Sequence, residues 1–139
     1  MNTVDKVCVC SRSFSKNEKL KEKLLGRYRH VQFNDLGLQL EASSLVEFVR
    51  DSKKVIIGLE KVDDFLLSEC SSIKVVSKYG VGLDNIDQVS MRKHGVKLGW
   101  AGGINRRSVA ELVLSNIIHL LRLIPQMQPM IGKGEWRPQ

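Results

Sequence analysis

Two glycines flank Val81 in segment 78–82, which directly follows an apolar run of strand length. Glycine lacks a Cβ atom, so it adopts backbone conformations closed to other residues and lets a peptide N–H approach a ligand oxygen closely. The chemistry that this pattern supports is the binding of a small anion, a carboxylate or a phosphate, by main-chain amides. The same residues are also compatible with an ordinary strand-to-helix turn, with Asp87 capping the helix that follows.

The glycine pair does not extend into a nucleotide-binding motif. The third glycine of the dinucleotide fingerprint G-x-G-x-x-G would fall at Asn85, and no acidic residue stands where a ribose ligand is expected. The chain has no G-x-x-x-x-G-K-[ST] string either, which argues against a nucleoside triphosphatase. Its histidines and cysteines show no metal-ligand spacing, so we expect no metal.

Apolar runs of strand length alternate along the chain with segments whose apolar residues recur at helical spacing. The predicted strands are residues 7–9, 31–33, 55–57, 73–76 and 96–98, and the predicted helices are residues 16–28, 43–50, 62–69 and 88–94. Gly26 and Gly95 are expected at helix ends. Strands joined by single helices run parallel with right-handed crossovers. The predicted fold class is therefore α/β, a flavodoxin-like, doubly wound, five-stranded parallel sheet that binds ligands beyond the carboxyl ends of its strands.

A long apolar segment follows the last strand. Residues 106–123 predict one helix, capped by Asn105 and ending before Pro125, with apolar residues around nearly its whole circumference. Such a helix needs packing partners on every side, and the sheet can cover only one. We therefore expect a second domain or a second subunit, most simply a homodimer, to cover the rest.

Net charge, cysteine count and the length of the apolar runs predict which partners the protein binds and in which cellular compartment it resides. The formal net charge is +7, but lysines and arginines interleave with acidic residues, so we interpret them as a solvated surface and expect no nucleic-acid partner. An odd number of cysteines, with Cys8 and Cys10 on one face of a strand, predicts free thiols in a cytoplasmic protein. No run approaches the ~20 apolar residues that span a bilayer, and no secretory leader is evident, so we expect no membrane partner.

Four spaced pieces of the sequence together resemble the D-isomer-specific 2-hydroxyacid dehydrogenase family, which includes phosphoglycerate, glycerate and formate dehydrogenases. The pieces are residues 73–87, 92–96, 105–112 and 134–136, in the order and spacing of that family. One departure lies at residues 99–103, where relatives usually have an Asn-Thr-Pro-like stretch, and it leaves the substrate open. We interpret Trp100 in this stretch as a core or interface residue rather than a wall of the substrate pocket.

The resemblance implies a flavodoxin-like substrate-binding domain over residues 1–104. In it, the backbone amides of Gly80, Val81 and Gly82 would hold the carboxylate of a small 2-hydroxyacid or 2-oxoacid. Tyr79 and the loop residues Leu59 and Glu60 would border the substrate. Asn105 would lie near the domain hinge, at the start of an interdomain helix and linker over residues 105–139.

The resemblance also implies an NAD(P)-dependent oxidoreductase whose reactive groups lie elsewhere. In the family, a nucleotide-binding domain supplies the NAD or NADP site, an Arg, a Glu or Asp and a His, all downstream of the piece at residues 134–136. We therefore expect these 139 residues to contain no catalytic residue, to bind no cofactor and to be inactive alone. The alternative is a stand-alone flavodoxin-like binding or regulatory module that acts through its apolar C-terminal helix. A response-regulator-like domain is disfavoured, because the loops after the first and third strands lack the acidic residues it needs.

Overall fold

The computed structural model describes residues 3–135. These residues form two compact units, and the chain passes from the first to the second between Gly102 and Gly103. Trp136, the last residue of the fourth family-like piece, lies outside the described residues.

The first unit alternates strands and helices, as predicted. Its strands are β1 (Thr3–Val9), β2 (Tyr28–Phe33), β3 (Lys54–Ile57), β4 (Val75–Lys78) and β5 (Lys97–Gly99). Its helices are α1 (Arg12–Ser15), α2 (Glu18–Leu25), α3 (Ala42–Val49), α4 (Asp64–Glu69) and α5 (Gln88–Lys93). The strands pair in parallel in the order β2-β1-β3-β4-β5, which confirms the flavodoxin-like α/β sheet.

The strand order creates a topological switch point at β1. From β1 the chain moves outward to β2 and then crosses back to β3 on the other side of β1. Right-handed connections therefore place α2 on one face of the sheet and α3, α4 and α5 on the opposite face. The last three helices pack side by side there. The loops that follow β1, β2, β3 and β4 all open at the carboxyl edge of the sheet.

The hydrophobic core lies on the face that α3, α4 and α5 cover. Val55 and Ile57 of β3 alternate with half-buried residues, and with Val76 of β4 they join Leu45 of α3 and Leu66 of α4 in one buried cluster. The three cysteines, Cys8, Cys10 and Cys70, are free, as predicted, and belong to the same cluster. Burial raises the pKa of the Cys8 and Cys10 thiols, which keeps both protonated and inert at neutral pH.

Several helix and strand boundaries differ from prediction for local reasons. The helix predicted over residues 16–28 is shorter, because the Asn17 side chain caps its start and β2 already begins at Tyr28. Gly26 is the C-cap of α2, with a right-handed φ of −63°, so its predicted place at a helix end is confirmed. Gly95 follows the C-cap of α5 directly, as predicted, and has φ +66°. Helix α4 begins later than predicted because Asp63 accepts from Leu66 N and caps it.

The second unit contains α6 (Arg106–Leu121) and α7 (Ile124–Ile131). Helix α6 is shorter than the predicted 106–123, because Leu123 adopts a left-handed φ of +50° before Pro125 enters α7. Asn105 occupies the N-cap position, but its side chain makes no capping hydrogen bond, so the predicted cap is wrong. Taken singly, no helix within residues 3–135 is long and apolar enough to cross a membrane; α6 and α7 reach that length and composition only as a pair, across a bend of 63°.

Candidate anion-binding site

The turn between β4 and α5 presents three consecutive peptide N–H groups. Among residues 3–135, the N–H groups of Gly80, Val81 and Gly82 donate to no other protein group, whereas the preceding Tyr79 N–H donates to the carbonyl of Ile57 at 2.8 Å. Both glycines are exposed. The turn is therefore not closed by internal hydrogen bonds, and its donors are available to a ligand oxygen.

The two glycines of this turn are needed for different reasons. Gly80 has φ +143°, a backbone conformation that residues with a side chain rarely adopt. Gly82 has no positive φ, but a Cβ atom there would lie 2.7 Å from Oδ1 of Asp84. The expectation of a special backbone conformation is thus confirmed for Gly80 and wrong for Gly82, where space is the constraint.

A hydrogen-bond network supports the turn from the loop after β3. The Asn85 Nδ2 donates to the carbonyl of Glu60 at 2.6 Å and to the carbonyl of Gly58 at 3.3 Å. The Lys78 Nζ donates to Asn85 Oδ1 at 2.6 Å and also to the carbonyl of Gly58. Asn85 stands where a dinucleotide fingerprint would have its third glycine. Its side chain instead joins the glycine turn to the loop after β3.

Lys78 also brings positive charge to the turn. Its Cε lies 3.4 Å from the position that a Cβ atom on Gly80 would occupy. An ammonium group beside peptide donors raises the local potential for an anion, because both present positive charge to the same side. Sequence reasoning assigned no role to Lys78 or Asn85. The available signal was a lysine and an amide on either side of the glycine pair.

Two aromatic side chains flank the turn. Tyr79 packs edge-on against Phe14, with ring centroids 5.2 Å apart, and remains exposed. Trp100 is 47% exposed, and its Nε1 donates to the carbonyl of Val81 at 3.0 Å. Of the core or interface position expected for Trp100, the core is therefore wrong, because the indole is exposed and contacts the turn itself; the interface position stays a prediction.

Leu59 and Glu60 lie on the loop after β3, which Asn85 ties to the turn. Leu59 is 82% exposed, whereas Glu60 is only 9% exposed and its Oε2 accepts from the N–H of Gly58 at 2.6 Å. Both residues line a cavity of about 490 Å³ whose lining does not include Gly80, Val81 or Gly82. The structure thus connects this loop to the turn but directs its side chains into a neighbouring cavity. Asn105 belongs to the second unit, directly before α6.

The N-terminus of α5 does not fit the pyrophosphate of a nicotinamide dinucleotide. A pyrophosphate binds at free N–H groups of a helix N-terminus. At α5, which follows the glycine turn, the Asp87 carboxylate accepts from Val89 N at 2.9 Å and from Ser90 N at 3.2 Å, so the protein's own anion occupies that end. Hydrogen bonds from Ser90 hold the pKa of Asp87 below its usual range and keep it charged, which would repel a phosphate. The predicted cap by Asp87 is confirmed.

The remaining candidate side chains make structural contacts. Among residues 3–135, no three His, Cys, Asp or Glu side chains are grouped as a metal ion would require. The Nε2 of His94, at the end of α5, lies 2.7 Å from Oδ1 of Asp64. The Nδ1 of His119 lies 3.4 Å from the Ser115 hydroxyl within α6.

Comparison with known proteins identifies similar chains over most of this sequence. Residues 7–124 match the family described as D-isomer specific 2-hydroxyacid dehydrogenase, catalytic domain. The D-3-phosphoglycerate dehydrogenase of Methanocaldococcus jannaschii is 30% identical over 103 residues, which are 73% of this chain and 20% of that protein. The glyoxylate reductase of Thermococcus litoralis is 29% identical over 94 residues, which are 67% of this chain and 28% of that protein. This chain therefore spans less than a third of the length of either relative.

A solved structure extends the likeness of fold to nearly the whole chain. The NAD-dependent formate dehydrogenase of Staphylococcus aureus, solved in complex with NAD, superposes with a TM-score of 0.74. The superposition covers 95% of this chain and 43% of that one at 20% sequence identity. At that identity the likeness concerns the fold alone.

Proposed function

The chain belongs to the D-isomer-specific 2-hydroxyacid dehydrogenase family, and from that premise we propose that it binds the substrate of an NAD(P)-dependent oxidoreductase that interconverts a D-2-hydroxyacid and a 2-oxoacid. The observation that carries the proposal is the run of three N–H groups at Gly80, Val81 and Gly82 that donate to no group within residues 3–135, beside the cation of Lys78. A carboxylate is the common group of both substrates, and convergent peptide donors bind it by charge-assisted hydrogen bonds.

The other candidate residues surround this anchor in the proposed complex. Tyr79 borders the bound acid on the turn itself. Leu59 and Glu60 border the part of the acid remote from its carboxylate, because Asn85 ties their loop to the turn. Asn105 lies at the hinge toward a nucleotide-binding domain.

Hydride transfer requires groups that we propose to lie outside residues 3–135. A nicotinamide exchanges the hydride with the substrate carbon, and an acid and a cation handle the proton and the carbonyl oxygen. We propose that a nucleotide-binding domain contributes the NAD or NADP site and the Arg, acidic and His side chains. The 139-residue polypeptide positions a carboxylate but leaves the chemical barrier unchanged, so we expect no oxidation of NADH when it is mixed with a 2-oxoacid.

Calorimetric titration of this chain with glyoxylate tests the binding half of the proposal. Glyoxylate carries the carboxylate and the carbonyl of the proposed substrate class, and acetamide serves as the uncharged control. We expect glyoxylate to bind with a dissociation constant of about 1 mM and acetamide to give no heat of binding. Equal binding of both compounds, or of neither, would contradict the proposal.

We further propose that the chain forms a homodimer through α6 and resides in the cytoplasm. The apolar side chains of α6 are exposed, and these include Leu112, Leu114, Leu120 and Leu121. The free thiols support a reducing compartment. Sedimentation of Leu114→Glu should show a dimer dissociation constant raised at least about tenfold. Leu36→Glu, which changes an exposed leucine of the first unit, should sediment like the wild type.

A second candidate function rests on the same exposed helix. A stand-alone binding module would dock another protein, rather than a second copy, through α6. Sedimentation also separates these two candidates. A wild-type chain that remains monomeric at high concentration, with α6 folded, would contradict the homodimer and favour the module.

A further inference from the structure

A cleft of about 490 Å³ opens at the carboxyl edge of the sheet, between the loops that follow β2 and β3. These two strands lie on either side of β1, so the cleft sits at the topological switch point, where open α/β sheets bind ligands. Its volume falls within the range of small-molecule sites. The amides of Gly80, Val81 and Gly82 do not line it, so it is distinct from the proposed carboxylate anchor, although Leu59 and Glu60, which border the substrate in the proposed function, also line this cleft.

The floor of the cleft is apolar, and two large apolar side chains stand exposed at its mouth. Buried leucines form the floor, namely Leu40, Leu45 and Leu66. At the mouth, Leu59 and Phe65 are 82% and 50% exposed. Exposed large apolar side chains around a concave apolar surface are a feature of ligand sites. The body of a ligand for this cleft would therefore be hydrocarbon.

Most charged groups of the cleft already have partners. The Glu41 side chain accepts from Gln39 Nε2 at 2.5 Å and completes a capping box at the start of α3. Asp63 caps α4 and pairs with Lys61 Nζ at 3.0 Å. Arg12 differs, because its guanidinium makes no ion pair or hydrogen bond with any of residues 3–135. It is the cation that the cleft offers to a ligand.

Glu60 is the complementary anion. Its Oε2 accepts from the N–H of Gly58, and Oε1 accepts from none of the described residues. Since no buried side-chain oxygen among those residues lacks a partner, Oε1 must be reachable by solvent, and Glu60 lines the cleft. A carboxylate buried to this degree gains from a donor, because it has already lost most of its water. A ligand ammonium would supply that donor.

We propose that this cleft binds a free α-amino acid with an apolar side chain. Its carboxylate pairs with Arg12, its ammonium with Glu60, and its hydrocarbon lies on Leu45 and Leu66 under the exposed Phe65. A zwitterion is the ligand class because the cleft presents one unpaired cation and one half-satisfied anion over an apolar floor. A 2-oxoacid bound in this cleft through Arg12 would leave Glu60 without a donor.

An amide NMR titration of the 139-residue chain with L-leucine tests this inference. Isocaproate lacks the ammonium and isoamylamine lacks the carboxylate, so they isolate the two charged contacts. We expect leucine to shift the amides of Leu59, Glu60 and Leu66, and each truncated analogue to bind about tenfold more weakly. Absence of any shift up to about 10 mM leucine, or isocaproate binding as tightly as leucine, would overturn the proposal.

Variants separate this cleft from the proposed substrate anchor. Glu60→Gln removes the charge but keeps an oxygen for the Gly58 N–H, and Arg12→Gln removes the cation; each should weaken leucine binding about tenfold. Lys61→Gln changes a cleft residue already paired with Asp63 and should bind leucine as the wild type does. Glyoxylate shifts at Gly80, Val81 and Gly82 report the other site independently. Leucine shifts confined to those amides, or wild-type binding by both Glu60→Gln and Arg12→Gln, would contradict the inference.

Discussion

The Nε1 of Trp100 donates to the carbonyl oxygen of Val81 at 3.0 Å. The Val81 carbonyl and the Gly82 N–H belong to one trans peptide plane and point in opposite directions. By holding the carbonyl, the indole therefore directs the Gly82 N–H away from itself, into the open side of the turn. Trp100 is in this way a positioning residue for the proposed carboxylate anchor.

Replacing the indole should loosen that peptide without removing an aromatic ring. We expect Trp100→Phe to weaken glyoxylate binding about tenfold, since the variant loses the hydrogen bond that orients the Gly82 donor. Tyr28→Phe is the control and should bind glyoxylate as the wild type does, because Tyr28 begins β2, which β1 and β3 separate from β4, and so lies far from the turn. Calorimetry on both variants measures the difference. Unchanged affinity in Trp100→Phe would show that the indole does not orient the donor.

A side chain at Gly80 should affect both stability and binding. Gly80→Ala forces a side chain into φ +143° and should lower the free energy of unfolding by about 2 kcal/mol. The change should also abolish glyoxylate binding, because the peptide must rotate to relieve the strain.

Gly37→Ala is the control for strain alone. Gly37 also has a positive φ, of +65°, and apart from its chain neighbours no atom of the described residues lies within 4 Å of its Cβ position. This variant should lose about 1 kcal/mol and bind glyoxylate normally. Denaturant unfolding and calorimetry together provide the test. Equal loss of binding in both variants would mean that strain, not the location of the glycine, is responsible.

Removing the Asn85 side chain should separate the two loops it joins. Asn85→Ala deletes donors to Gly58 and Glu60 and the acceptor for Lys78. Each such bond contributes about 0.5–1.5 kcal/mol, so we expect the free energy of unfolding to fall by about 2 kcal/mol. Urea denaturation measures it, with Gln88→Ala, an exposed position on α5, as the control. A loss no larger than that of the control would rule out a bracing role.

The Asp87 cap should make part of the stability acid-sensitive. Hydrogen bonds from Ser90 hold the pKa of Asp87 below the ordinary 3.8, so the folded state favours the charged form. That contribution is therefore fully present above the unfolded pKa and is lost as the pH falls through the lowered folded pKa. Asp87→Ala should destabilise the chain at about pH 6 and differ less from the wild type at about pH 2.5. Urea unfolding at both pH values measures this, and an equal difference at the two would contradict it.

The fold was predictable because its strands are short apolar runs of a kind that local patterns detect. Apolar runs such as those around Val55 and Val96 lie between segments with helical periodicity. Two strands joined by a single helix run parallel in the sheet, so this alternation predicts a parallel sheet. Helix α1 was not predicted, since four residues are too few to display helical periodicity. The first residues of α2 and α4 are set by the N-caps Asn17 and Asp63, which hydrophobic periodicity alone does not locate.

The candidate site was only partly predictable, for a physical reason. The glycine turn and the Asp87 cap are local features, visible within ten residues of sequence. The Trp100–Val81 bond joins residues 19 positions apart, and the bonds from Asn85 to the loop after β3 join residues 25 and 27 positions apart. Such contacts exist only once β3, β4 and β5 are aligned, so no local pattern could indicate them.

An amide NMR titration with glyoxylate tests the carboxylate anchor most directly, because it reports each peptide donor separately. The anchor requires the largest shifts at Gly80, Val81 and Gly82, saturating together, with acetamide producing none. If those three amides stay unmoved while glyoxylate binds elsewhere, or does not bind at all, the turn is not a carboxylate site.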